Sequence, residues 1–376
     1  MDKEIKSLTG IRGVAALWVV SMHYFETLKV DNSLYISKLL ANGFVAVDMF
    51  FLLSAFVMCL AYSEEYKNKI SIQSYKLFIK KRFVRIYPAY IFWLFMFLSF
   101  DFVKLNLDYG KILVNLLLIQ NLFKDAVVSI VCWSLCAEWI LYILFPFLFF
   151  ILQKVESRLI KIVLILVCLI GIYILPIMTN YYIDFYKIFS KVTPTGNLAV
   201  VKGINSIIRC FISYVMGINL FLLIKDYKVI NYSLVRNMKY VAVISIFVIS
   251  YFEKSAEAYV LLVISSVILI STLYLDYKQL ASFLASKTLY FLGQTSYSIY
   301  LCHQFILIFA SILAKKFFPS DYDDRMQILL VLGSLVILIP ISYLSYKFIE
   351  IKVGLALKSK LFIKQESEKK TGQLAS

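Results

Sequence analysis

The sequence predicts an all-α, polytopic integral membrane protein with about ten transmembrane helices and with both termini in the cytoplasm. Hydrophobic residues make up 61% of the 376 residues and charged residues only 16%, whereas soluble domains carry roughly 25% charged residues. Glycine and proline number only 12 and 6, so few breaks interrupt the apolar stretches. This composition excludes a soluble single domain, a disordered chain and a disulfide scaffold.

Ten apolar segments are long enough to cross a bilayer, which takes about 20 residues. They lie at residues 10–28, 43–62, 87–105, 133–152, 160–177, 206–224, 239–253, 256–275, 289–313 and 326–347. The apolar segment 112–123 is shorter, and we expect it to be re-entrant or interfacial. Two regions follow: a transmembrane domain at 1–352 and a charged, flexible cytoplasmic tail at 353–376.

Lysine and arginine residues predict the orientation of the chain, because cytoplasmic loops are rich in both. Seven of them lie in the loop predicted at 63–86: Lys67, Lys69, Lys76, Lys80, Lys81, Arg82 and Arg85. The loop at 29–42, on the other side, carries only Lys29 and Lys38. The net charge of +16 is therefore explained by topology and by contact with anionic membrane lipid, and we expect no nucleic-acid partner.

Cysteine and histidine usage predicts neither disulfides nor a metal site. The six cysteines contain no CxxC pair, and most lie in apolar runs, so we expect them to be small core residues. Two histidines are too few for a His-rich metal cage. The first apolar segment shows no convincing cleavage site, and we expect it to be an uncleaved first span.

Ionisable side chains inside the predicted spans are candidates for function, because each costs several kcal/mol in a bilayer unless it is paired or faces water. They are Arg12, His23, Asp48, Glu138, Arg209, His303 and Glu350. Arg12 and His23 are eleven residues apart, which puts them on nearly the same helix face, about 16 Å apart along its axis. Taken alone, this pair is equally well explained by a topology anchor and a buried structural histidine.

Depth favours a functional interpretation. Residue counting places His23 and His303 each about 20 Å from the cytoplasmic surface. Asp48 and Glu138 enter their spans from the opposite side and reach a similar depth. We therefore expect these four side chains, from four different spans, to share one layer.

A second layer is expected at the cytoplasmic level. Arg82 and Arg85 stand three residues apart in KKRFVRIYPAY and share a helix face, with Pro88 opening the third span and with Arg12 and Glu350 nearby. Arginines at one level can hold a polyphosphate through bidentate hydrogen bonds. The alternative, a simple topology cluster, is the interpretation we favour for the neighbouring lysines at 80 and 81.

An arginine layer below a buried histidine suggests a phosphorylated donor that reaches up to a general base. A coenzyme A thioester meets this description. Its phosphates would bind the arginines, and its long pantetheine arm would span roughly the separation of Arg12 and His23. No metal is needed for this chemistry.

Six motifs, in order, resemble those of the membrane-bound acyltransferase-3 family, which includes O-antigen and exopolysaccharide O-acetyltransferases. They are SLTGIRGVAALWVVSMHYF, GFVAVDMFFLLSAFVM, KKRFVRIYPAY, WSLCAEWILYILFP, SYSIYLCHQ and YKFIE. Two positions depart from the family pattern: Thr9 replaces a frequent acidic residue, and Ala55 replaces a usual glycine. These departures concern substrate positioning and remove no proposed catalytic group.

The resemblance implies that His23 is catalytic, that Arg12, Arg82 and Arg85 engage acetyl-CoA or another acyl-CoA, and that the acceptor is a glycan hydroxyl. The acceptor would be a cell-surface polysaccharide or lipid-linked oligosaccharide at a bacterial inner membrane. We assign His23 as general base, since an imidazole titrates near the working pH.

The remaining candidates have open roles. Asp48 or Glu138 would orient His23 or help bind the sugar, and His303 would stabilise the oxyanion or relay an acyl group. Acceptor contacts are assigned to Trp133, Ser134, Arg209 and Tyr300. Packing is the stronger alternative for Trp133, and an ion pair with Asp48 or Glu138 is an equal alternative for Arg209.

Two other classes of protein remain to be weighed. A transporter or flippase of glycolipids also buries carboxylates at mid-membrane, but it gives no reason for an arginine pair at the donor level, and no internal repeat is seen. A glycan polymerase usually has large outer loops, and the longest here, 178–205, is modest.

Overall fold

The computed structural model describes residues 4–27, 35–102, 109–123, 126–181, 203–229, 231–251, 255–276, 278–317 and 324–361. Within these ranges all regular secondary structure is helical, which confirms the predicted all-α class. The α-helices are α1 (Lys6–Thr27), α2 (Tyr35–Ala41), α3 (Val45–Tyr62), α4 (Ile72–Phe102), α5 (Tyr109–Leu116), α6 (Trp133–Leu152), α7 (Arg158–Tyr181), α8 (Gly203–Ile224), α9 (Tyr232–Tyr251), α10 (Ala256–Leu275), α11 (Leu280–Leu284), α12 (Lys287–Phe317) and α13 (Asp324–Leu344).

As far as their residues are described, the ten predicted spans each fall on one of the long helices. In the described part of the chain, eight helices are long and apolar enough to cross a membrane. The other two, α1 and α4, have 22 and 31 residues but carry several charges. All six cysteines are buried and unpaired, as predicted.

Helices α3 and α8 form the centre of the bundle, and α7 and α9 lie at its periphery. Buried residues make up 72% of the apolar stretch of α3 and 67% of that of α8, but only 22% in α7 and in α9. Large apolar side chains such as Leu166 and Val241 are exposed on the peripheral helices. Such surfaces suit contact with lipid chains.

The third predicted span begins earlier than the sequence suggested. Helix α4 starts at Ile72 and continues through Pro88, so most of the predicted loop 63–86 is helical. Lysine and arginine are good helix formers, and helices in membrane proteins accommodate a proline when neighbours satisfy the freed carbonyl. As a result, Arg82 and Arg85 are held on a rigid helix.

The segment 112–123 is a folded connection between α4 and α6. Helix α5 ends at Leu116, Leu118 has a positive φ of 56°, and a 3₁₀ turn follows at Gln120–Leu122. The buried amide of Asn121 donates to the Trp133 carbonyl at 3.0 Å and to the Ser206 hydroxyl at 2.8 Å. These bonds attach the connection to the start of α6 and to α8.

Glycines allow α1 and α12 to pack closely. A Cβ on Gly13 would lie 2.6 Å from the Gly293 backbone nitrogen, and one on Gly293 would lie 1.9 Å from the Thr9 carbonyl oxygen. Only glycine fits such an approach of two backbones, a common device in membrane helix pairs. This contact aligns the two helices that carry His23 and His303.

The last helix changes its winding. After Leu344 the chain forms a π-helix, Ser345–Val353, and then an α-helix up to Leu361. The predicted tail at 353–376 therefore begins as a helix, and its remainder lies outside the described residues. Within the π-helix, Glu350 is buried; such irregular turns often mark functional positions.

Candidate active site

A cavity of about 110 Å³ lies between α1, α3, α4, α6 and α12. It brings together six of the predicted site residues: Arg12, Arg82, Arg85, Ser134, Glu138 and Tyr300. The three arginines expected to bind the donor thus share one space, although they come from two different helices.

The guanidinium group of Arg82 rests on aromatic rings. Its central carbon lies 5.7 Å from the ring centre of Tyr62, 5.8 Å from that of Phe78 and 5.6 Å from that of Tyr142. It also donates a hydrogen bond to the Tyr62 hydroxyl at 3.2 Å. Ring faces attract a cation without neutralising it, so Arg82 keeps its positive charge available to the cavity.

Arg85 has a different environment, because it forms an ion pair with Glu350. The nearest nitrogen and oxygen are 2.7 Å apart, and the Glu350 side chain is 1% exposed. The other carboxylate oxygen accepts a hydrogen bond from Ser298 at 3.1 Å. The expectation from the sequence that Glu350 lies near the arginines is confirmed.

The cavity carries a net positive charge. Glu138 lines it and accepts a short hydrogen bond of 2.5 Å from the Tyr142 hydroxyl. Among the described residues, no carboxylate forms an ion pair with Arg12 or Arg82. Three guanidinium groups therefore face two carboxylates, Glu138 and Glu350, and an anion is attracted to the remaining charge.

The two histidines of the chain meet. The rings of His23 and His303 are nearly parallel, at 19°, with centroids 5.4 Å apart. His303 is fully buried, and its Nδ1 lies 2.6 Å from the Tyr300 carbonyl oxygen. The prediction that two distant segments bring their imidazoles to one depth is consistent with this contact.

Tyr300 and Ser134 connect the cavity to the histidine pair. Their hydroxyl groups are 2.8 Å apart, and both residues line the cavity. The Tyr300 ring centroid lies 5.6 Å from that of His303. His23 is not among the lining residues. Ser134 and Tyr300 therefore lie between the arginines of the cavity and the imidazole pair.

Asp48 lies in a buried ion pair with Arg209 and is not bonded to the histidine pair in the described part of the chain. The two side chains share contacts of 2.5 and 3.1 Å, and Asp48 also accepts from Ser213 and Tyr259. Among the described residues, no hydrogen bond joins Asp48 to His23. Residue counting predicts depth along a helix but not direction around it, and the four groups divide among three environments.

Trp133 contributes to the same cluster. The guanidinium carbon of Arg209 lies 5.8 Å from the Trp133 ring, 5.8 Å from that of Phe44 and 5.5 Å from that of Tyr259. Arg209 thus forms the ion pair with Asp48 that was its alternative interpretation, and Trp133 packs against Arg209.

Several residues of the site escaped the sequence reasoning. Tyr142 and Tyr259 bind the carboxylates of Glu138 and Asp48, but 27 tyrosines in the chain gave no basis to select them. Gln304 accepts hydrogen bonds from Ser129 and from the Val131 amide. Its position next to His303 was the one available signal.

The apolar helices, the apolar outer surfaces of the peripheral helices and the buried cationic cavity together define a multi-pass helical membrane protein with an internal polar site. Residues 5–347 match the acyltransferase domain of the acyltransferase-3 family. The chain therefore belongs to that family, as its motifs suggested.

Two curated proteins are similar over part of their length. Acyltransferase MdmB of Streptomyces mycarofaciens is 31% identical over 170 residues, which cover 41% of this chain and 41% of that protein. Protein 2 in the picA locus of Rhizobium radiobacter is 40% identical over 85 residues, or 22% of this chain and 39% of that protein. The matches thus span about two fifths of each relative's length. No solved structure matches the chain significantly.

Proposed function

We propose that the protein is a membrane O-acyltransferase that moves an acyl group, most simply acetyl, from acyl-CoA to a hydroxyl of a cell-surface glycan or its lipid-linked precursor. The observation that carries this proposal is the arginine-lined cavity joined to the histidine pair through Ser134 and Tyr300. Family membership and the printed name of the Streptomyces relative support acyl transfer.

The donor is assigned to the arginine side of the site. Phosphate groups bind guanidinium groups through charge-assisted hydrogen bonds, and Arg12 and Arg82 are without a carboxylate partner among the described residues. The cavity volume is about 110 Å³, which is roughly the volume that four water molecules occupy in the liquid. It suits the acyl end of the donor, and the nucleotide would lie at its entrance.

The acceptor hydroxyl is assigned to the side of Ser134 and Tyr300. Of the four residues expected to bind the acceptor, these two line the cavity, whereas Trp133 and Arg209 are buried in the Asp48 cluster. The histidine pair lies directly beyond Tyr300. The hydroxyl would therefore meet the thioester between these two hydroxyl side chains and the imidazoles.

In the proposed reaction the acceptor oxygen attacks the acyl carbon while His23 takes the hydroxyl proton. The carbon–sulfur bond then breaks, and the thiolate receives that proton from the imidazolium, which gives the ester and free coenzyme A. General-base catalysis of this kind typically contributes about 10²–10⁴ in rate. The arginines bind and hold the donor and take no part in the proton transfer.

The two substrates are proposed to approach from opposite sides of a bacterial cell membrane. The donor would enter from the cytoplasmic arginine side and the acceptor from the outer half. In sealed inside-out vesicles, added acetyl-CoA should be consumed only when acceptor is loaded in the lumen. Efficient acetylation of a membrane-impermeant acceptor on the donor side would refute this arrangement and leave the chemistry of His23 standing.

Release of coenzyme A tests the function itself. Purified protein is given acetyl-CoA with and without a polysaccharide acceptor, and free thiol is measured. An enzyme releases coenzyme A in an acceptor-dependent manner, whereas a transporter or flippase releases none. The same samples, examined for ester-linked acetyl groups on the glycan, show whether the acyl group reached a hydroxyl.

A further inference from the structure

The hydrogen bonding of His303 fixes which of its nitrogens carries the proton. Its Nδ1 lies 2.6 Å from the carbonyl oxygen of Tyr300. A carbonyl oxygen only accepts hydrogen bonds, so Nδ1 must be the protonated nitrogen. In the neutral imidazole, Nε2 then carries a free lone pair and accepts a hydrogen bond.

This acceptor is buried and has no partner. His303 is 0% exposed, and its Nε2 forms no hydrogen bond with any described residue. An unsatisfied buried acceptor costs free energy, so a donor is expected to complete it. Because Nε2 cannot donate in the neutral ring, His303 is a poor candidate for stabilising an oxyanion.

His23 is a neighbouring side chain able to serve as that donor. The ring centroids are 5.4 Å apart, and the two ring planes are inclined to each other by 19°. Two imidazoles joined edge to edge by an N–H···N bond of about 3 Å have centroids a little over 5 Å apart. The centroid separation therefore suits such a bond once the His23 ring turns one of its N–H groups toward Nε2, and catalytic hydrogen bonds often tighten only when substrate is bound.

The carboxylates expected to orient His23 are engaged elsewhere. Asp48 is paired with Arg209, and Glu138 accepts from Tyr142 in the arginine cavity. Glu26 is the next carboxylate along α1, three residues after His23. Glu26 thus supplies the matched control for any test of what orients His23.

We propose that His303 is a positioning residue that acts through His23. Its Nε2 accepts a hydrogen bond from one N–H of His23, which leaves the other His23 nitrogen unprotonated and aimed at the substrates. When that nitrogen takes a proton from the acceptor hydroxyl, Nε2 of His303 still accepts a hydrogen bond from the first N–H of His23. This bond stabilises the His23 imidazolium until the proton passes to the thiolate. The reaction step rests on the proposed function, but the pairing of the two rings does not.

Chemical labelling of His23 tests the pairing without any substrate. Diethyl pyrocarbonate transfers a carbethoxyl group to an unprotonated imidazole nitrogen, and with two histidines in the chain the product is read cleanly by peptide mass spectrometry. The variant His303→Asn keeps a donor for the Tyr300 carbonyl and removes Nε2. The variant His303→Gln places an amide oxygen near the Nε2 position.

We expect His303→Asn to slow labelling of His23 roughly fivefold, the factor that one ordinary hydrogen bond represents. We expect His303→Gln to label His23 within about twofold of the original rate, because it restores an acceptor. We expect Glu26→Gln to slow the labelling less than His303→Asn does. An unchanged or faster rate in His303→Asn, or equal rates in the Asn and Gln variants, would overturn the proposal.

A second measurement needs no substitution and covers the case in which a variant folds poorly. In protein labelled with ¹⁵N at histidine, we expect a hydrogen-bond coupling between the two imidazoles, with or without coenzyme A. Two imidazoles that show no coupling in either condition would overturn the pairing. Loss of acceptor-dependent coenzyme A release with an intact pairing would instead refute the proposed function alone.

Discussion

Arg85 and Glu350 form a short ion pair, 2.7 Å between nitrogen and oxygen, that joins the charged part of α4 to the π-helix Ser345–Val353. The carboxylate is buried, whereas the Arg85 side chain is 39% exposed and faces the cavity. Two arginines that share a helix face in the sequence therefore have different partners. Arg85 is neutralised by a carboxylate, and Arg82 rests on aromatic rings.

Arg85→Ala should destabilise the protein, because it leaves the Glu350 carboxylate buried without its partner. Breaking a buried pair costs about 3–5 kcal/mol, and partial exposure of Arg85 reduces this to about 2 kcal/mol. Adding Glu350→Gln should recover much of the loss, since no unpaired charge remains. Thermal unfolding in nanodiscs measures both effects. If the destabilisation of the double variant equals the sum of those of the two single variants, the two residues act independently.

Arg82→Ala should weaken donor binding with little effect on stability. The loss of one charge-assisted contact to phosphate is expected to raise the KM for acetyl-CoA about tenfold, or about 1.4 kcal/mol, while the KM for the acceptor stays constant. Arg82→Lys should recover only part of the lost affinity for acetyl-CoA, because an ammonium cannot reproduce the bidentate guanidinium fork.

Lys81→Ala is the matched control for Arg82, since Lys81 is the adjacent cation and is exposed. It should leave the KM for acetyl-CoA unchanged. Donor binding at the original strength in Arg82→Lys would mean that simple charge or topology, and not a guanidinium contact, explains the arginine.

Asp48→Asn should lower stability more than it lowers the turnover of the folded fraction. The substitution leaves Arg209 charged in a site where it is 1% exposed, and the expected cost is about 3–5 kcal/mol. Thermal unfolding and activity per folded molecule separate the two effects. A variant of unchanged stability that loses transfer would instead give Asp48 a direct part in the reaction.

Much of the fold could be predicted because it depends on segment length and hydropathy. Segments 133–152 and 256–275 coincide with α6 and α10. The start of α4 was wrong by about four turns, since a cationic helix outside the apolar span leaves no hydropathy signal. The folded connection at 109–123 depends on the buried amides of Gln120 and Asn121, which no periodic pattern reveals.

The candidate site was predictable in membership more than in pairing. Motifs and depth selected the arginines of the cavity and both histidines. They did not predict that Asp48 binds Arg209, because rotation of a helix about its axis is set by packing. At Gly217 of α8, a Cβ would lie 2.3 Å from the Leu52 carbonyl oxygen of α3, and this close approach brings the helices of Asp48 and Arg209 together.

The most direct test of the account is the rate of acceptor-dependent coenzyme A release by purified His23→Ala, compared with the unchanged protein at equal amounts of folded material. Loss of the general base should reduce this rate by about 10²–10⁴, while the variant inserts and accumulates normally. A well-folded His23→Ala protein that releases coenzyme A at a near-normal rate would contradict the proposed mechanism.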